Sequence, residues 1–500
     1  MRVYYKSILG KLIIATLSLA ISFSFLNSNN TAIASSKISS VISIEEFKNK
    51  LDQSVPELQK HYGVAGTAIG LIEDGQVKYI LNYGLENRKK NKSVSEDTVF
   101  QAASISKSLT AWGIMKLVEE GKLSLEDPVQ KYMKRWQLPE SKFIKDEATI
   151  KGLLSHTAGL TVHGYLGTLP DKKVPTIEES LSAKGFIKEP LEITIKPGSE
   201  FRYSGGGYTL LQLIIEEVTG ESFEEYMEKE ILTPLKMNNS TFRNNFLDDN
   251  MSKAYGYFNQ EIPNYNFTEK AAAGLKTTVT DFLKFMIATM EGRGSTESNI
   301  LKSETIELIR RPVMADSALG VFVKKLPNGS ELLYHSGDNR GWHAVYALIP
   351  EKKDGIVIFT NSDNGIDLRQ DVYNYWLEYQ TNTLTTENNA IERYRNTNLG
   401  IAVLLGAALI MYTSIVIVGI KRGTRIFICK RENKFLLVLF IRLFIRFFLA
   451  GITYFILFQA NTLKLQGGVK NIAITILVWL IVLFISGLFP KDKKRKKKER

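Results

Sequence analysis

The apolar positions of this chain fall into regions that differ in length and spacing. A short apolar run covers residues 12–26, and three longer runs lie close to the C-terminus, at residues 399–420, 435–458 and 472–489. Between these ends, residues 40–380 mix short apolar stretches with polar ones, as folded domains with a core do. The pattern therefore predicts one large domain between two kinds of apolar segment.

The N-terminal apolar run has the flanks of an export signal. Three basic residues, Arg2, Lys6 and Lys11, precede or open it, and the small-x-small sequence Ala32-Ile33-Ala34 follows. This order is typical of a secretory signal peptide, here residues 1–34. An anchor that is never cleaved is the alternative. Both interpretations place the large domain outside the cytoplasm.

The C-terminal runs each approach the ~20 residues that a helix needs to cross a bilayer core. We expect three transmembrane helices within residues 399–489, joined to the large domain by a linker at residues 381–398. Residues 421–434 carry six basic residues and one acidic residue, and residues 491–500 carry eight basic and two acidic ones. With the large domain extracytoplasmic, both clusters, including the tail at residues 490–500, fall on the cytoplasmic side, as the positive-inside rule requires.

The two basic clusters also explain most of the net charge of +12. A nucleic-acid binder would spread its charge over a folded face, so we expect a lipid bilayer and no nucleic acid as a partner. Arg442 and Arg446 lie four residues apart, on one face of the second predicted span. Either they contact protein, substrate or a lipid headgroup, or they reach the inner interface.

The large domain has strand-like sequences at both ends and helical ones between them. Residues 66–88 hold two β-type runs around Asp74-Gly75, a hairpin signal, and residues 332–361 hold three more, with Asp354-Gly355 expected at the second turn. Helical patterns fill the middle, for example at residues 109–119, 208–218 and 281–290. This order predicts an α+β domain with one antiparallel sheet built from both chain ends and a helical region.

Candidate chemistry begins with QAASISKSLTAW at residues 101–112. A helix that starts near Ser104 places Lys107 on the same face, because positions i and i+3 are neighbours. A serine hydroxyl becomes a good nucleophile only when a base takes its proton. The pair alone has a simpler interpretation, a helix-capping serine followed by a solvated lysine.

Further motifs give the pair a context. FRYSGGGY stands at residues 201–208, YHSGDNRGWH at 334–343 and GLLSHTAGL at 152–160. In order and spacing these motifs resemble the serine β-lactamase and penicillin-binding protein superfamily, nearest to its class C β-lactamase, D-aminopeptidase and esterase branch. The resemblance covers residues 55–361 and implies the β-lactamase/transpeptidase-like fold, with an antiparallel sheet flanked by helices and a helical subdomain.

The resemblance also implies roles for individual residues. Ser104 would attack a carbonyl, Lys107 would help to move its proton, and Tyr203 would complete the relay, with its phenolate acting as a base beside the lysine cation. The third motif would edge the cleft, and the backbone N–H groups of Ser104 and Asp338 would hold the oxyanion. These expectations concern the catalytic set Ser104, Lys107 and Tyr203 and the substrate-binding set His335, Ser336, Gly337 and Asp338.

Two positions depart from the family pattern. Gly205 stands where most members have an asparagine, which weakens the case for efficient cleavage of penicillins. His335 stands where many members have a lysine, and an imidazole is mostly neutral outside the cell. A substrate carboxylate would then be bound weakly unless Arg340 supplies the charge. With five histidines and no close-spaced ligand set, we expect no metal and no cofactor.

The sequence thus predicts a membrane-anchored extracytoplasmic serine hydrolase that acts through an acyl-enzyme. We expect a small-molecule or peptide substrate with a D-residue, as for a D-alanyl carboxypeptidase-like penicillin-binding protein. Three alternatives stay open: a prodrug-activating D-asparaginyl peptidase of a nonribosomal peptide pathway, an esterase or β-lactamase, and a non-catalytic penicillin-binding-like sensor.

Overall fold

The computed structural model describes residues 42–183, 189–244, 249–290, 300–382, 386–425 and 469–489, with a few more between 444 and 451. The predicted signal peptide, Arg442, Arg446, most of the second predicted span and the basic tail lie outside the described residues. Val41–Thr381 forms one compact unit, and the described residues after it belong to a second.

The first unit is organised around a β-sheet. The strands are β1 (Gly66–Glu73), β2 (Gln76–Asn87), β3 (Lys92–Ser93), β4 (Phe100–Gln101), β5 (Ala254–Tyr255), β6 (Glu261–Ile262), β7 (Lys276–Thr277), β8 (Phe322–Lys325), β9 (Glu331–Asn339), β10 (Trp342–Ile349) and β11 (Asp354–Thr360). Seven of them form one antiparallel sheet in the order β3-β2-β1-β11-β10-β9-β8, and β4-β7 and β5-β6 pair separately. The predicted sheet from both chain ends is confirmed.

The two predicted turns have different outcomes. Asp74 and Gly75 join β1 to β2 with φ values of 53° and 76°, the left-handed pair that a tight hairpin turn requires. The second turn precedes Asp354-Gly355, because Lys353 closes it with φ 56° and donates from its N–H to Pro350 O at 3.2 Å. Asp354 already opens β11, so the predicted position of that turn was wrong by a few residues.

Helices cover both faces of the sheet. They are α1 (Ile44–Tyr62), α2 (Ser106–Glu119), α3 (Ile150–Leu154), α4 (Ile177–Leu181), α5 (Gly205–Thr219), α6 (Phe223–Met227), α7 (Lys270–Ala273), α8 (Val279–Met290), α9 (Ser303–Arg310) and α10 (Gly365–Thr381). The helical middle of the sequence is therefore confirmed, with α2, α5 and α8 beginning a few residues earlier than the apolar pattern indicated.

Strand β11 shows how the layers are formed. Val357 and Phe359 belong to a core cluster with residues of α2 and α8, whereas Ile356 and Ile358 belong to a second cluster with residues of α1 and α10. Alternate side chains of a strand point to opposite faces. The central strand is therefore buried along its whole length because helices cover it on both sides.

The second unit contains α11 (Thr386–Lys421) and α12 (Val469–Gly487). The two helices pack together: Trp479 Nε1 donates to Leu405 O at 2.8 Å, and the hydroxyls of Tyr412 and Ser486 are 2.9 Å apart. Among the described residues one helix, Arg395–Lys421, is long and apolar enough to cross a membrane, and Asn471–Gly487 is a shorter apolar helix. Three spans remain a prediction.

Candidate active site

Ser104 lies in a 3₁₀ turn, Ala103–Ile105, between β4 and α2. Ala103 has φ 49°, a left-handed conformation that residues with a side chain rarely adopt. Ser106 Oγ fixes this turn by donating to Ala103 O at 2.6 Å and accepting from Leu275 N at 3.0 Å. Backbone strain of this kind costs roughly 1–3 kcal/mol and persists only where the surroundings impose it. The strained turn places the partly exposed Ser104 just before the first residue of α2.

Lys107 is next to Ser104 and is almost fully buried, with 2% of its surface exposed. Its Nζ donates to Ser104 Oγ at 3.1 Å and to Ala272 O at 2.7 Å. Burial lowers the pKa of Lys107 to about 7, because a buried ammonium loses its hydration. A large share of the amine is therefore neutral near pH 7 and able to accept a proton from the serine hydroxyl.

Tyr203 reaches this pair because His156 holds its loop. His156 is buried and has φ 57°. Its Nδ1 accepts from Ser204 N at 3.1 Å, and its carbonyl accepts from Arg202 N at 2.8 Å. The imidazole also lies 4.3 Å from the Tyr203 ring between centroids. His156 therefore has a structural role, because it bonds the backbone on both sides of Tyr203.

The electrostatics of Tyr203 differ from the expectation. Burial raises the pKa of Tyr203 above its usual range, and the hydrogen bond with Ser104 offsets only part of that rise. The Tyr203 ring lies 5.1 Å from Lys107 Nζ. The phenol therefore stays protonated at neutral pH, so the expected phenolate base is not favoured. Between the two candidates, the lysine amine is the group ready to take a proton.

Strand β9 passes directly against the Ser104 turn at Gly337. A Cβ on Gly337 would lie 2.3 Å from Ala102 O and 2.9 Å from Ser104 N. Both atoms belong to the backbone, so no side-chain movement could make room. The glycine is thus required for β9, which also carries His335, Ser336 and Asp338, to approach the serine. We use cleft here for the space bordered by Ser104, Tyr203 and β9.

Comparison with known proteins identifies this arrangement. The profile of the Beta-lactamase family matches residues 51–380. The chain belongs to the beta-lactamase family. Protein flp of Staphylococcus aureus (strain MRSA252) is 29% identical over 323 residues, which cover 61% of this chain and 61% of that protein. The octameric penicillin-binding protein homologue of Pyrococcus abyssi is 29% identical, with a TM-score of 0.58, over 69% of this chain and 81% of that one.

Membership of the beta-lactamase family confirms the recognition made from the motifs. Members of this family are in general serine hydrolases, and penicillin-binding protein homologues share their fold. The chain covers about 61% of the length of the flp relatives that it matches. The roles of individual residues remain predictions, which the geometry supports for Ser104 and Lys107 and modifies for Tyr203.

The family's third motif has an unusual electrostatic character here. His335 is buried, and burial together with the charge of Lys107 lowers its pKa to about 3. Its Nδ1 lies 2.7 Å from Ser336 O, and a carbonyl can only accept, so Nδ1 is the protonated nitrogen. Nε2 then carries a lone pair, is itself buried and has no hydrogen-bond partner among the described residues. His335 therefore supplies a buried, neutral side chain where many beta-lactamase relatives place a cation.

The two remaining predicted positions are also accounted for. Gly205 begins α5, and its N–H donates to His163 O at 3.1 Å. A Cβ there would lie 3.0 Å from the same carbonyl, so the loop before α5 leaves little room for the family asparagine.

Arg340 lies over the Tyr265 ring at 4.8 Å and donates to the Tyr265 hydroxyl. The guanidinium is thus directed to an aromatic side chain.

Sequence reasoning missed one group beside the cleft. Arg369, on α10, contacts the backbone and side chain of β9 around Asp338, and His343 contacts the same carboxylate. Arg369 is separated from β9 by about thirty residues, and no motif marks it. An arginine that is 6% exposed within an amphipathic helix becomes visible only in the folded structure.

Proposed function

We propose that this chain is a serine acyl hydrolase that forms an acyl-enzyme at Ser104 and cleaves amide or peptide bonds at D-residues. The observation that carries the proposal is the 3.1 Å contact between Ser104 Oγ and the Nζ of a lysine whose pKa is lowered to about 7. A nucleophile within hydrogen-bond reach of a base poised near neutral pH is the arrangement that acyl transfer requires.

Acylation would proceed as follows. The neutral Lys107 amine takes the Ser104 proton while Oγ attacks the substrate carbonyl carbon. The resulting oxyanion accepts from the backbone N–H groups of Ser104 and Asp338, and preorganised donors of this kind typically contribute about 3–4 kcal/mol each. Tyr203, still protonated and hydrogen-bonded to Ser104, is placed to pass a proton to the leaving nitrogen. The C–N bond breaks, and Lys107 returns its proton to the phenolate.

Deacylation would repeat these steps with water. Lys107, neutral again, removes a proton from the water that attacks the ester carbonyl, and the oxyanion returns to the same two N–H groups. Collapse of the tetrahedral intermediate breaks the bond to Oγ, and Ser104 recovers its proton. Over the whole cycle the leaving nitrogen gains one proton and the attacking water supplies one, and Ser104, Lys107 and Tyr203 end in their starting protonation states.

The D-residue substrate is supported by the chain's likeness to a penicillin-binding protein homologue. A membrane-tethered position on the extracytoplasmic side agrees with such a substrate, and the apolar helix Arg395–Lys421 supports the tether. A D-asparaginyl prodrug peptidase would use the same chemistry with a different leader. A non-catalytic sensor would not need a base with a pKa near 7.

A second candidate function is favoured by one observation. Because burial keeps the His335 imidazole neutral, a free substrate carboxylate would find no cation in the third motif. Esters and peptides with a blocked C-terminus are therefore candidates beside D-alanyl-D-alanine peptides. Comparing hydrolysis of N-acetyl-D-alanyl-D-alanine with its C-terminal amide separates the two: faster cleavage of the amide supports the second candidate.

The main experiment follows the detergent-solubilised chain with benzylpenicillin by intact-mass spectrometry. Ser104→Ala is the test variant. Ser108→Ala is the matched control, because it removes a buried hydroxyl of the same helix that bonds Gly320 O at 2.8 Å and leaves Ser104 in place. A lasting adduct in the wild type and control but not in Ser104→Ala supports a penicillin-binding peptidase. Penicilloate without an adduct indicates a β-lactamase. No reaction with penicillin, D-peptides or esters contradicts the proposal.

A further inference from the structure

Arg369 places one guanidinium nitrogen against three oxygen atoms of the sheet beside the cleft. Its Nη1 donates to Gly337 O at 3.0 Å, to Asp338 Oδ1 at 2.8 Å and to Ala344 O at 2.9 Å. The side chain is 6% exposed, so these contacts form away from water, where charge-assisted hydrogen bonds are strong. Arg369 belongs to α10, on the opposite side of the sheet from α2.

The contact with Gly337 O fixes the direction of the next N–H. The peptide between Gly337 and Asp338 is trans, since the described residues contain no cis peptide bond. In a trans peptide the C=O and the following N–H point in opposite directions. Arg369 bonds the carbonyls of both β9 and β10, so Gly337 O points toward β10. The N–H of Asp338 therefore points to the other edge of β9.

That other edge faces the nucleophile. Strand β8 pairs with β9 only as far as Tyr334, so none of the strands that the structure describes covers β9 on that edge at Asp338. The Cα of the preceding Gly337 lies so close to the Ser104 turn that a Cβ would be 2.9 Å from Ser104 N. The two backbone N–H groups proposed to hold the oxyanion thus converge because Arg369 sets the orientation of one of them.

Arg369 also forms an ion pair with the carboxylate of Asp338. Asp338 Oδ1 accepts from Arg369 and from His343 Nδ1, each at 2.8 Å. An ionised carboxylate next to an oxyanion site would oppose the negative charge that develops there. Pairing with the guanidinium turns this carboxylate toward α10 and compensates its charge.

We propose that Arg369 is a positioning residue of the oxyanion site: it orients the Gly337–Asp338 peptide and neutralises Asp338. The proposal rests on the function proposed above, because the oxyanion forms only if Ser104 is acylated. It predicts that loss of the guanidinium lowers the acylation rate while leaving substrate affinity nearly unchanged, since the ground-state carbonyl depends less on a well-aimed N–H than the oxyanion does.

The test uses two probes with the full chain. Single-turnover acylation by p-nitrophenyl acetate gives a rate and a half-saturation concentration. Phenylboronic acid, which forms a tetrahedral adduct with an active serine, gives an affinity for an oxyanion-like state. For Arg369→Lys we expect acylation about 10–100-fold slower, below the ~10²–10³-fold cost of a deleted donor. Half-saturation should stay within about twofold, and boronate affinity should weaken by the same factor as the rate.

The matched control is Asp371→Asn on the same helix. It replaces the charged acceptor of the Tyr62 hydroxyl, at 2.7 Å, with a neutral amide and so weakens a contact of α10 without touching β9. The control should lower the melting temperature but keep acylation and boronate affinity. Arg369→Met, which also removes the charge, should be slower than Arg369→Lys where it folds.

The outcomes separate this inference from the proposed function. If Arg369→Lys behaves like Asp371→Asn, with a lower melting temperature and unchanged acylation and boronate affinity, the positioning role is wrong while the hydrolase stands. If the rate and half-saturation change together, Arg369 shapes substrate binding instead, which also overturns the inference. If the wild type is neither acylated nor bound by the boronate, the proposed function fails first and the inference with it.

Discussion

At the scale of a single residue, the protonation state of Lys107 controls whether Ser104 can be deprotonated. Because burial lowers its pKa to about 7, the amine is neutral above that pH and charged below it. Only the neutral amine accepts the Ser104 proton. The acylation rate should therefore rise with pH, with an apparent pKa near 7, and fall about tenfold for each pH unit below it. A pH profile of p-nitrophenyl acetate turnover measures this directly.

Lys276 offers a matched control for this profile. It is also buried, with its pKa lowered to about 8, but its Nζ donates to Arg243 O at 2.6 Å. Lys276→Met should keep the acidic limb of the profile, whereas Lys107→Met should lose activity by at least about 10³-fold at every pH. An acidic limb that disappears with Lys276 instead would assign the base elsewhere.

At the scale of the secondary-structure element, strand β9 must approach the Ser104 turn closely, and this approach depends on its backbone. Gly337→Ala would push β9 away from the Ser104 turn, because the added Cβ meets backbone atoms at 2.3 and 2.9 Å. Acylation by p-nitrophenyl acetate should fall about 10²–10³-fold, as expected when an oxyanion donor is displaced. The folded state should survive, since β10 still pairs along the length of β9.

Gly355→Ala in β11 is the control for a crowded glycine in the same sheet. Its Cβ would meet chiefly the ends of two flexible side chains, Leu348 Cδ2 at 2.8 Å and Met286 Cε at 3.0 Å, with the backbone oxygen of Ala347 farther away at 3.2 Å. This variant should lose stability but keep its acylation rate per folded molecule. If the loss of activity in Gly337→Ala disappears after correction for the folded fraction, as expected for Gly355→Ala, then Gly337 is needed only for folding.

Helix α5 explains why the second motif departs from the family pattern. Gly205→Asn restores the family side chain but places a Cβ 3.0 Å from His163 O, so the loop before α5 must shift. We expect a lower melting temperature and no gain in nitrocefin hydrolysis. A variant that hydrolyses nitrocefin faster than the wild type would show that the missing amide alone limits β-lactam turnover.

Across the whole molecule, local sequence signals predicted what local geometry controls. Asp74-Gly75 marked its hairpin because few residues tolerate two left-handed conformations in succession. Ser104 and Lys107 could be paired because helical spacing alone brings them together. Tyr203 and Asp338 could be placed only through the family resemblance, since their positions relative to Ser104 depend on tertiary packing. Arg369 and the lowered pKa of Lys107 were beyond reach, because both arise from burial.

The proposed membrane topology concerns the whole molecule. The one cysteine of the chain makes this topology testable. Cys429 lies in the basic segment 421–434, which the charge pattern assigns to the cytoplasm. In intact cells expressing the chain, a membrane-impermeant maleimide should leave Cys429 unlabelled until the cells are permeabilised. A Cys429→Ser variant that also carries Ile144→Cys, where the side chain is 65% exposed, should react in intact cells because the catalytic domain is expected outside. Equal labelling of both positions before permeabilisation would rule out the proposed topology, because it would place the basic segment on the same side as the catalytic domain.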